Sequence, residues 1–184
     1  MNLSGPTRRQ VLVGLVALPA CSGKSADTAD SAVICTTAST GADQTFCNVS
    51  ALTVRIPGAA ALTPGDALLA NVDDNTAVIL ARDSAGFYAR SGICTHACCI
   101  VALCTDATCS AFTTSPGACQ TTQVVRPDPS GGIFCPCHGS TFALVDGSVT
   151  AAPARVALPS YAVTIDGNDV LVDTGTQVGP SARV

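Results

Sequence analysis

The stretch CPCHGS at residues 135–140, together with CTHACC at residues 94–99, contains both histidines of the chain, each beside cysteines. Side chains two residues apart in an extended segment project to the same side, so the first cysteine and the histidine of CTHACC can face one site. A tight turn with proline and glycine can bring together residues three apart, as in CPCHGS. Two such loops side by side offer two thiolates and two imidazoles, from Cys94, His96, Cys135 and His138.

Two kinds of metal centre suit this set of four ligands. A single Zn²⁺ ion binds two cysteines and two histidines in a tetrahedron. A two-iron centre with bridging sulfides instead places both cysteines on one iron and both histidines on the other. The number and type of ligands do not separate the two metals, so both alternatives stay open on this ground.

The two stretches resemble the paired motifs C-T-H-x-x-C and C-P-C-H-G-S of Rieske [2Fe–2S] proteins, and the resemblance covers about residues 50–173. It implies one [2Fe–2S] cluster, with the two cysteines of the ligand set on one iron and the two histidines on the other. It also implies a disulfide between Cys99 and Cys137, which ties the two loops together in the quinol-oxidising branch of the family. The Rieske modules of aromatic-ring oxygenases lack that cysteine pair.

Other positions extend this resemblance or depart from it. Ser140 matches a serine whose hydroxyl donates a hydrogen bond to the cluster, and Pro153 lies in a segment that resembles the proline loop covering the cluster. Phe142 stands where the higher-potential members have tyrosine, so one hydrogen-bond donor to the cluster is missing. Residues 97–98 are Ala-Cys where Leu-Gly is usual, and loss of the leucine predicts a less shielded cluster and an altered docking surface.

The rest of the chain predicts an all-β, antiparallel domain. Short apolar segments alternate with turn residues, and no stretch after residue 21 has the period of a long amphipathic helix. Asp-Gly at residues 146–147 and Asp-Gly-Asn-Asp at residues 166–169 predict hairpin turns. The resemblance implies a Rieske-type β-sandwich over residues 49–184, with a small inserted cluster-binding subdomain at about residues 90–155. The predicted strands are 51–56, 77–81, 86–89, 123–126, 132–134, 141–145 and 162–165.

Residues 1–21 resemble an export signal with a lipobox. Arg8 and Arg9 precede a run of about ten apolar residues, which is about half of the length needed to cross a bilayer, and the run ends at Cys21. We therefore expect export across the bacterial cytoplasmic membrane and lipidation of Cys21, which would anchor the protein to a membrane on the periplasmic or extracytoplasmic face. Residues 22–48 would form a flexible tether and an N-terminal segment. The alternative is an uncleaved signal anchor in which Cys21 is an ordinary thiol.

Eleven cysteines are many for a chain of this length, and in an exported protein they indicate disulfides. One lipidated cysteine, two iron ligands and one disulfide pair account for five of the eleven cysteines. Six cysteines remain, which is an even number. Three further disulfides are expected: one would close the N-terminal segment, and the others would pin a long insertion at residues 100–134. Fifteen pairings are possible, and a second metal site in the insertion is the alternative, although no histidine remains for it. The six are Cys35, Cys47, Cys98, Cys104, Cys109 and Cys119.

Composition narrows the function further. Charged residues make up 12% of the chain, the net charge is −4, and no run of lysine or arginine could neutralise successive phosphates, so nucleic-acid binding is not expected. The resemblance implies single-electron transfer, from quinol to a cytochrome within a membrane-associated oxidoreductase. Alternatives are the small Rieske subunit of an exported molybdenum oxidoreductase such as arsenite oxidase, a free electron carrier, or a zinc- and disulfide-stabilised binding module. No catalysis is expected from this chain alone.

Overall fold

The computed structural model describes residues 47–50, 53–73, 75–114, 117, 120–127 and 132–184. The predicted export signal, Cys21, Cys35 and Cys119 lie outside these residues, and only the backbone of Cys47 is described. Within the described part, no helix is long and apolar enough to cross a bilayer.

Almost all regular structure in these residues is β-strand, and the single helix is one 3₁₀ turn at Ala59–Ala61. In chain order the strands are β1 (Cys47–Ser50), β2 (Thr53–Ile56), β3 (Ala67–Asp73), β4 (Thr76–Asp83), β5 (Gly86–Ser91), β6 (Ala102–Cys104), β7 (Phe112–Thr113), β8 (Gln120–Thr121), β9 (Ile133–Phe134), β10 (Thr141–Phe142), β11 (Val149–Ala151), β12 (Ser160–Asp166) and β13 (Asp169–Gln177).

The strands form two antiparallel sheets. The larger has the order β1-β2-β13-β12-β5-β4-β3-β8, and the smaller has the order β11-β10-β9-β6-β7. In chain order, all strands of the smaller sheet lie between β5 and β12 of the larger sheet. Strand β8 also lies in this interval but pairs with β3 at the edge of the larger sheet. The predicted all-β, antiparallel fold is therefore confirmed, and so are both predicted hairpin turns, between β10 and β11 and between β12 and β13.

Strands β3, β4 and β5 separate two hydrophobic cores. Leu68 and Leu80 point into the first core, which the larger sheet encloses together with residues of β2 and β13. Leu69 and Ile79 point the opposite way, into a second core that holds the smaller sheet and its loops. Full burial of each such side chain contributes about 1.5–3 kcal/mol. The two-sided burial of these strands fixes the smaller sheet on the larger one.

The predicted strand at residues 123–126 is wrong. Only Val125 pairs, with Ala67 at the start of β3, through two backbone hydrogen bonds. The partner strand does not extend further in that direction, since the chain turns at residues 64–65, and Pro127 has no N–H to donate. A segment with high β-propensity therefore stays a single bridge.

The insertion at residues 100–134 also differs from the expected surface segment. Its ends are strands of the small sheet, and Ala102, Leu103 and Cys104 of β6 are fully buried. The turn that joins β6 to β7 has the expected exposed, Thr/Ser/Ala-rich character. That turn is closed by a disulfide between Cys104 and Cys109, one of the further disulfides expected to pin the insertion.

Candidate metal centre

The loops at residues 94–99 and 135–140 have the same backbone hydrogen bonds. In the first, the N–H of Cys94 donates to the carbonyl of residue 99, and the N–H of Cys98 donates back to the carbonyl of residue 94. In the second, Cys135 and Gly139 make the two equivalent bonds, to residues 140 and 135. Both sequences therefore fold into one type of turn, and each turn starts with a candidate thiolate ligand.

The fifth residue of each turn has a positive φ, a conformation that glycine adopts most easily. Gly139 has φ 81°, and the equivalent Cys98 has φ 56°. A residue with a Cβ pays about 1–2 kcal/mol for this left-handed conformation. Cys98 nevertheless adopts it and is disulfide-bonded, so the departure from the usual glycine keeps the backbone of the turn.

The two candidate thiolate ligands are brought together in the second core. Cys94 and Cys135 are about 1% and 0% exposed, and they are the free cysteines among the residues that the structure describes. Burial raises the pKa of the Cys135 thiol, and a hydrogen bond with the Cys94 side chain raises it further. Burial therefore favours the neutral form of the Cys135 thiol in the metal-free chain, and a bound cation would supply the charge that stabilises its thiolate.

The two candidate histidine ligands also meet. His96 and His138 are exposed, and their ring centroids lie 4.8 Å apart with the ring planes at 87°. The structure thus places a buried pair of thiols and an exposed pair of imidazoles on the same two loops. A metal centre held there would have its cysteine side in the core and its histidine side at the surface.

A disulfide joins the loops, as the resemblance implied. Cys99 and Cys137 are bonded, with their Cα atoms 6.5 Å apart. The sulfur atoms of Cys99, Cys135 and Cys137 all lie within 4.8 Å of one another. Since two of these sulfurs are bonded to each other, only that of Cys135 is available to a metal. The cross-link holds the second loop against the first, next to this ligand.

Residues 153–158 cover the junction of the two loops. The N–H of Ala154 donates to Oγ of Ser140 at 2.9 Å, and Oγ1 of Thr95 donates to the carbonyl of Val156 at 2.6 Å. The segment, which starts at the predicted Pro153, is therefore attached to both ligand loops. Sequence reasoning gave Thr95 no role, although its fixed place in the C-T-H motif could have indicated one.

A buried arginine connects the strand before the first ligand loop to three other parts of the domain. Arg90, about 1% exposed, lies at the end of β5, which leads into the first ligand loop. Its guanidinium donates to the Ser160 hydroxyl and to the carbonyls of Val145 and Pro180. Burial lowers its pKa. Because these acceptors belong to β12, the β10–β11 turn and the C-terminal segment, Arg90 links the cluster-binding part to the larger sheet.

The residues present fit an iron–sulfur cluster. Ser140 is fully buried and its hydroxyl accepts the Ala154 N–H, yet the described contacts give its own proton no acceptor in the protein. A buried donor of this kind requires an acceptor, which a cluster sulfide supplies. An all-β domain with two buried thiols, two exposed imidazoles and such a donor belongs to the class of mixed cysteine–histidine metalloproteins.

Comparison with known families makes the assignment more specific. The family model of the Rieske [2Fe–2S] domain matches residues 53–162, and the chain belongs to this family. The resemblance deduced from the two loops is thereby confirmed, and with it one [2Fe–2S] cluster as the cofactor. The chain therefore contains a Rieske domain.

The similar proteins come from different kinds of redox protein. A protein of Haloferax mediterranei, named as a Rieske subunit of respiratory nitrate reductase, is 31% identical over 97 residues, which are 52% of this chain and 33% of that protein. The matched region thus spans a third of the relative's length. The solved structures that match include the ferredoxin of carbazole 1,9a-dioxygenase from Nocardioides aromaticivorans, with 25% identity over 67% of this chain and 98% of the other and a TM-score of 0.41. They also include a plasma membrane Rieske protein from Synechocystis, with 27% identity over 59% of this chain and 86% of the other and a TM-score of 0.37.

Proposed function

We propose that this chain carries single electrons from quinol to a cytochrome as the Rieske subunit of a membrane-associated oxidoreductase. Cys94 and Cys135 would bind one iron of its cluster, and His96 and His138 would bind the other. The observation that carries the proposal is the disulfide between Cys99 and Cys137, because this cross-link belongs to the quinol-oxidising branch of the family and is missing from the oxygenase-type modules.

The chemistry follows from the ligand set. When bound by these four residues, a [2Fe–2S] cluster would supply one-electron chemistry at a raised potential, roughly −150 to +300 mV. The protein contributes burial of Cys94 and Cys135 on one side, which keeps water from the thiolates. It also exposes His96 and His138, whose ring nitrogens not bound to metal can exchange a proton with a bound quinol. Electron uptake at this site can therefore carry a proton, as quinol oxidation requires.

A second candidate rests on the Haloferax relative, which is named as a nitrate reductase subunit. The chain would then be the small Rieske subunit of an exported oxidoreductase complex that acts on a small substrate. In that case its electrons pass to or from a large partner subunit rather than a cytochrome. The two candidates share the cluster and differ in the partner.

The test uses membranes of the organism that produces the full chain. Quinol is added to the membranes, samples are frozen at intervals, and electron paramagnetic resonance follows the reduced cluster. Reduction by quinol and reoxidation by oxidised cytochrome c supports the first candidate. Reoxidation by nitrate but not by cytochrome c, or reduction by arsenite in place of quinol, supports the second. Absence of any reduction by quinol contradicts the first candidate.

Membrane attachment through Cys21 is part of the same proposal. We expect the protein to sediment with membranes, to incorporate labelled palmitate and to be accessible from outside the cytoplasm. The Cys21→Ala variant should lose the label and appear in the soluble extracytoplasmic fraction. Label retained by that variant would contradict lipidation of Cys21.

A further inference from the structure

The chain segments around the two histidines contain one residue with a fixed charge. The ligand loops at residues 94–99 and 135–140 and the covering segment at residues 153–158 contain no Asp, Glu or Lys, and Arg155 is their only arginine. Arg155 is exposed, as are His96 and His138. At the end of the domain where electrons would enter or leave, these segments therefore contribute one guanidinium, two imidazoles and no carboxylate.

The backbone of Arg155 is fixed between two attachments to the ligand loops. Its predecessor, Ala154, donates its N–H to Ser140 of the second loop. Its successor, Val156, accepts the hydroxyl proton of Thr95 from the first loop. Arg155 is thus held between the two loops, and the neighbouring Val156 is 64% exposed. A cation beside an exposed apolar side chain makes a small contact surface of defined chemistry.

Arg155 differs from the other described arginines in its lack of a protein partner. None of the residues that the structure describes forms a hydrogen bond or an ion pair with its side chain. The others are engaged elsewhere: Arg55, Arg126 and Arg183 pair with aspartates, Arg82 donates to the Leu62 carbonyl, and Arg90 is buried.

The two ligand loops and the covering segment contain no carboxylate. Asp146 is exposed in the turn after β10, and the adjacent Gly147 accepts the N–H of Leu158 at the end of the covering segment. Strand β6 is antiparallel to β9, which leads into the second ligand loop, so Asp106, in the turn after β6, lies beyond the end of β6 that is opposite this loop. The chain has a net charge of −4, yet the only fixed charge that these three segments contribute is the positive charge of Arg155. Such an asymmetric field orients a partner during encounter.

We propose that Arg155 and Val156 form the docking contact for the redox partner, and that the partner presents a carboxylate beside an apolar patch to this contact. The inference rests on the proposed electron-transfer function. Arg155 acts as a specificity-determining residue: its charge attracts an acidic face and repels a basic one, while Val156 excludes water from the contact.

The test measures the sign of the charge at the site of electron exit. Reduced, cluster-loaded full-length protein is mixed in a stopped-flow instrument with hexacyanoferrate(III), a trianion, or with tris(phenanthroline)cobalt(III), a trication; each complex accepts one electron. Arg155→Gln should slow the first reaction about fivefold and speed the second by about the same factor at an ionic strength of about 10 mM. Both effects should vanish in about 0.5 M salt.

Arg126→Gln is the matched control, because it removes the same charge at another place. Arg126 pairs with Asp66 just before β3, a strand that runs parallel to β5 and so begins at the end opposite the ligand loops. We expect it to change either rate by less than about twofold. Equal effects of the two variants would overturn the assignment of Arg155.

A binding measurement separates this inference from the proposed function. Hexacyanocobaltate(III), a redox-inert trianion, is titrated into protein labelled with ¹⁵N-arginine, and the Nε–H signal that is missing from Arg155→Gln is followed. That signal should shift with added trianion more than any other arginine signal. A shift with no electron transfer to either complex would reject the proposed function and keep the anion contact, whereas transfer without a shift would reject the contact.

Discussion

Replacement of Ser140 by alanine should affect both the stability and the reduction potential of the protein. The side chain is fully buried, and its hydroxyl accepts the N–H of Ala154, which is itself about 3% exposed. Alanine removes this acceptor and also the hydroxyl proton that the family resemblance assigns to the cluster. The two losses are measured separately.

The expected magnitudes follow from these two losses. An unpaired buried N–H costs about 1–3 kcal/mol, so the free energy of unfolding should fall by that amount. A hydrogen bond that favours the reduced state by about 1.4 kcal/mol corresponds to about 60 mV for one electron. The midpoint potential of Ser140→Ala should therefore be about 60 mV lower than that of the wild type.

The assays are urea unfolding and protein-film voltammetry of the cluster-loaded protein. Thr141→Val is the matched control, since among the described residues its hydroxyl bonds to the hydroxyl of Thr150, at 2.6 Å on an exposed face. This variant should keep the wild-type potential. An unchanged potential in Ser140→Ala, or an equal shift in both variants, would refute the assignment of the Ser140 proton to the cluster.

Three further predictions concern single residues. Phe142→Tyr should raise the midpoint potential in voltammetry, because it restores the missing donor at a fully buried position; an unchanged value would contradict the tuning argument. Gly132→Ala should lower the free energy of unfolding, measured in urea, by about 2 kcal/mol or more, because φ is +83° and a Cβ would lie 2.7 Å from the carbonyl oxygen of Phe142. Gly58→Ala is the control. Its φ is +70° but nothing lies within 4 Å of the added Cβ, so it should lower the free energy of unfolding by only about 1 kcal/mol. Hydrogen bonds from the hydroxyls of Ser110 and Thr108 lower the pKa of Asp106. The stability that its charged form contributes is therefore fully present above about pH 4 and is lost as the pH falls through the lowered pKa. A carboxyl ¹³C titration of Asp106 with a midpoint near pH 4 would show this prediction to be wrong.

The arrangement of the four candidate ligands on two neighbouring loops was predictable from the sequence because each loop is a local structure. Each ligand loop is a short turn, and its cysteine and histidine need only their spacing and one glycine-like position to reach the right side. Hairpin turns were predictable for the same reason, since Asp-Gly and Gly-Asn favour the positive φ that Gly147 and Gly167 adopt. Short-range rules therefore gave the loops and the turns.

Long-range packing decided what sequence patterns missed. Strand β3 was not among the predicted strands, because burial on both faces removes the alternation that identifies a strand. Strand β13 was also missed; only its first half alternates, and its end is exposed and polar. The pair Cys104–Cys109 could not be chosen among fifteen pairings, since it depends on β6 and β7 forming a hairpin. Arg155 carried no sequence signal at all, because its importance comes from its place between two loops.

The most direct test of the central claim is low-temperature electron paramagnetic resonance of the dithionite-reduced protein, with iron, sulfide and zinc assayed on the same sample. The account predicts two irons and two sulfides per chain and a rhombic signal whose average g value lies below that of clusters with four cysteine ligands. It also predicts loss of this signal in His96→Ala and His138→Ala. A colourless, silent protein with one bound zinc would contradict it and indicate a structural module without a redox role.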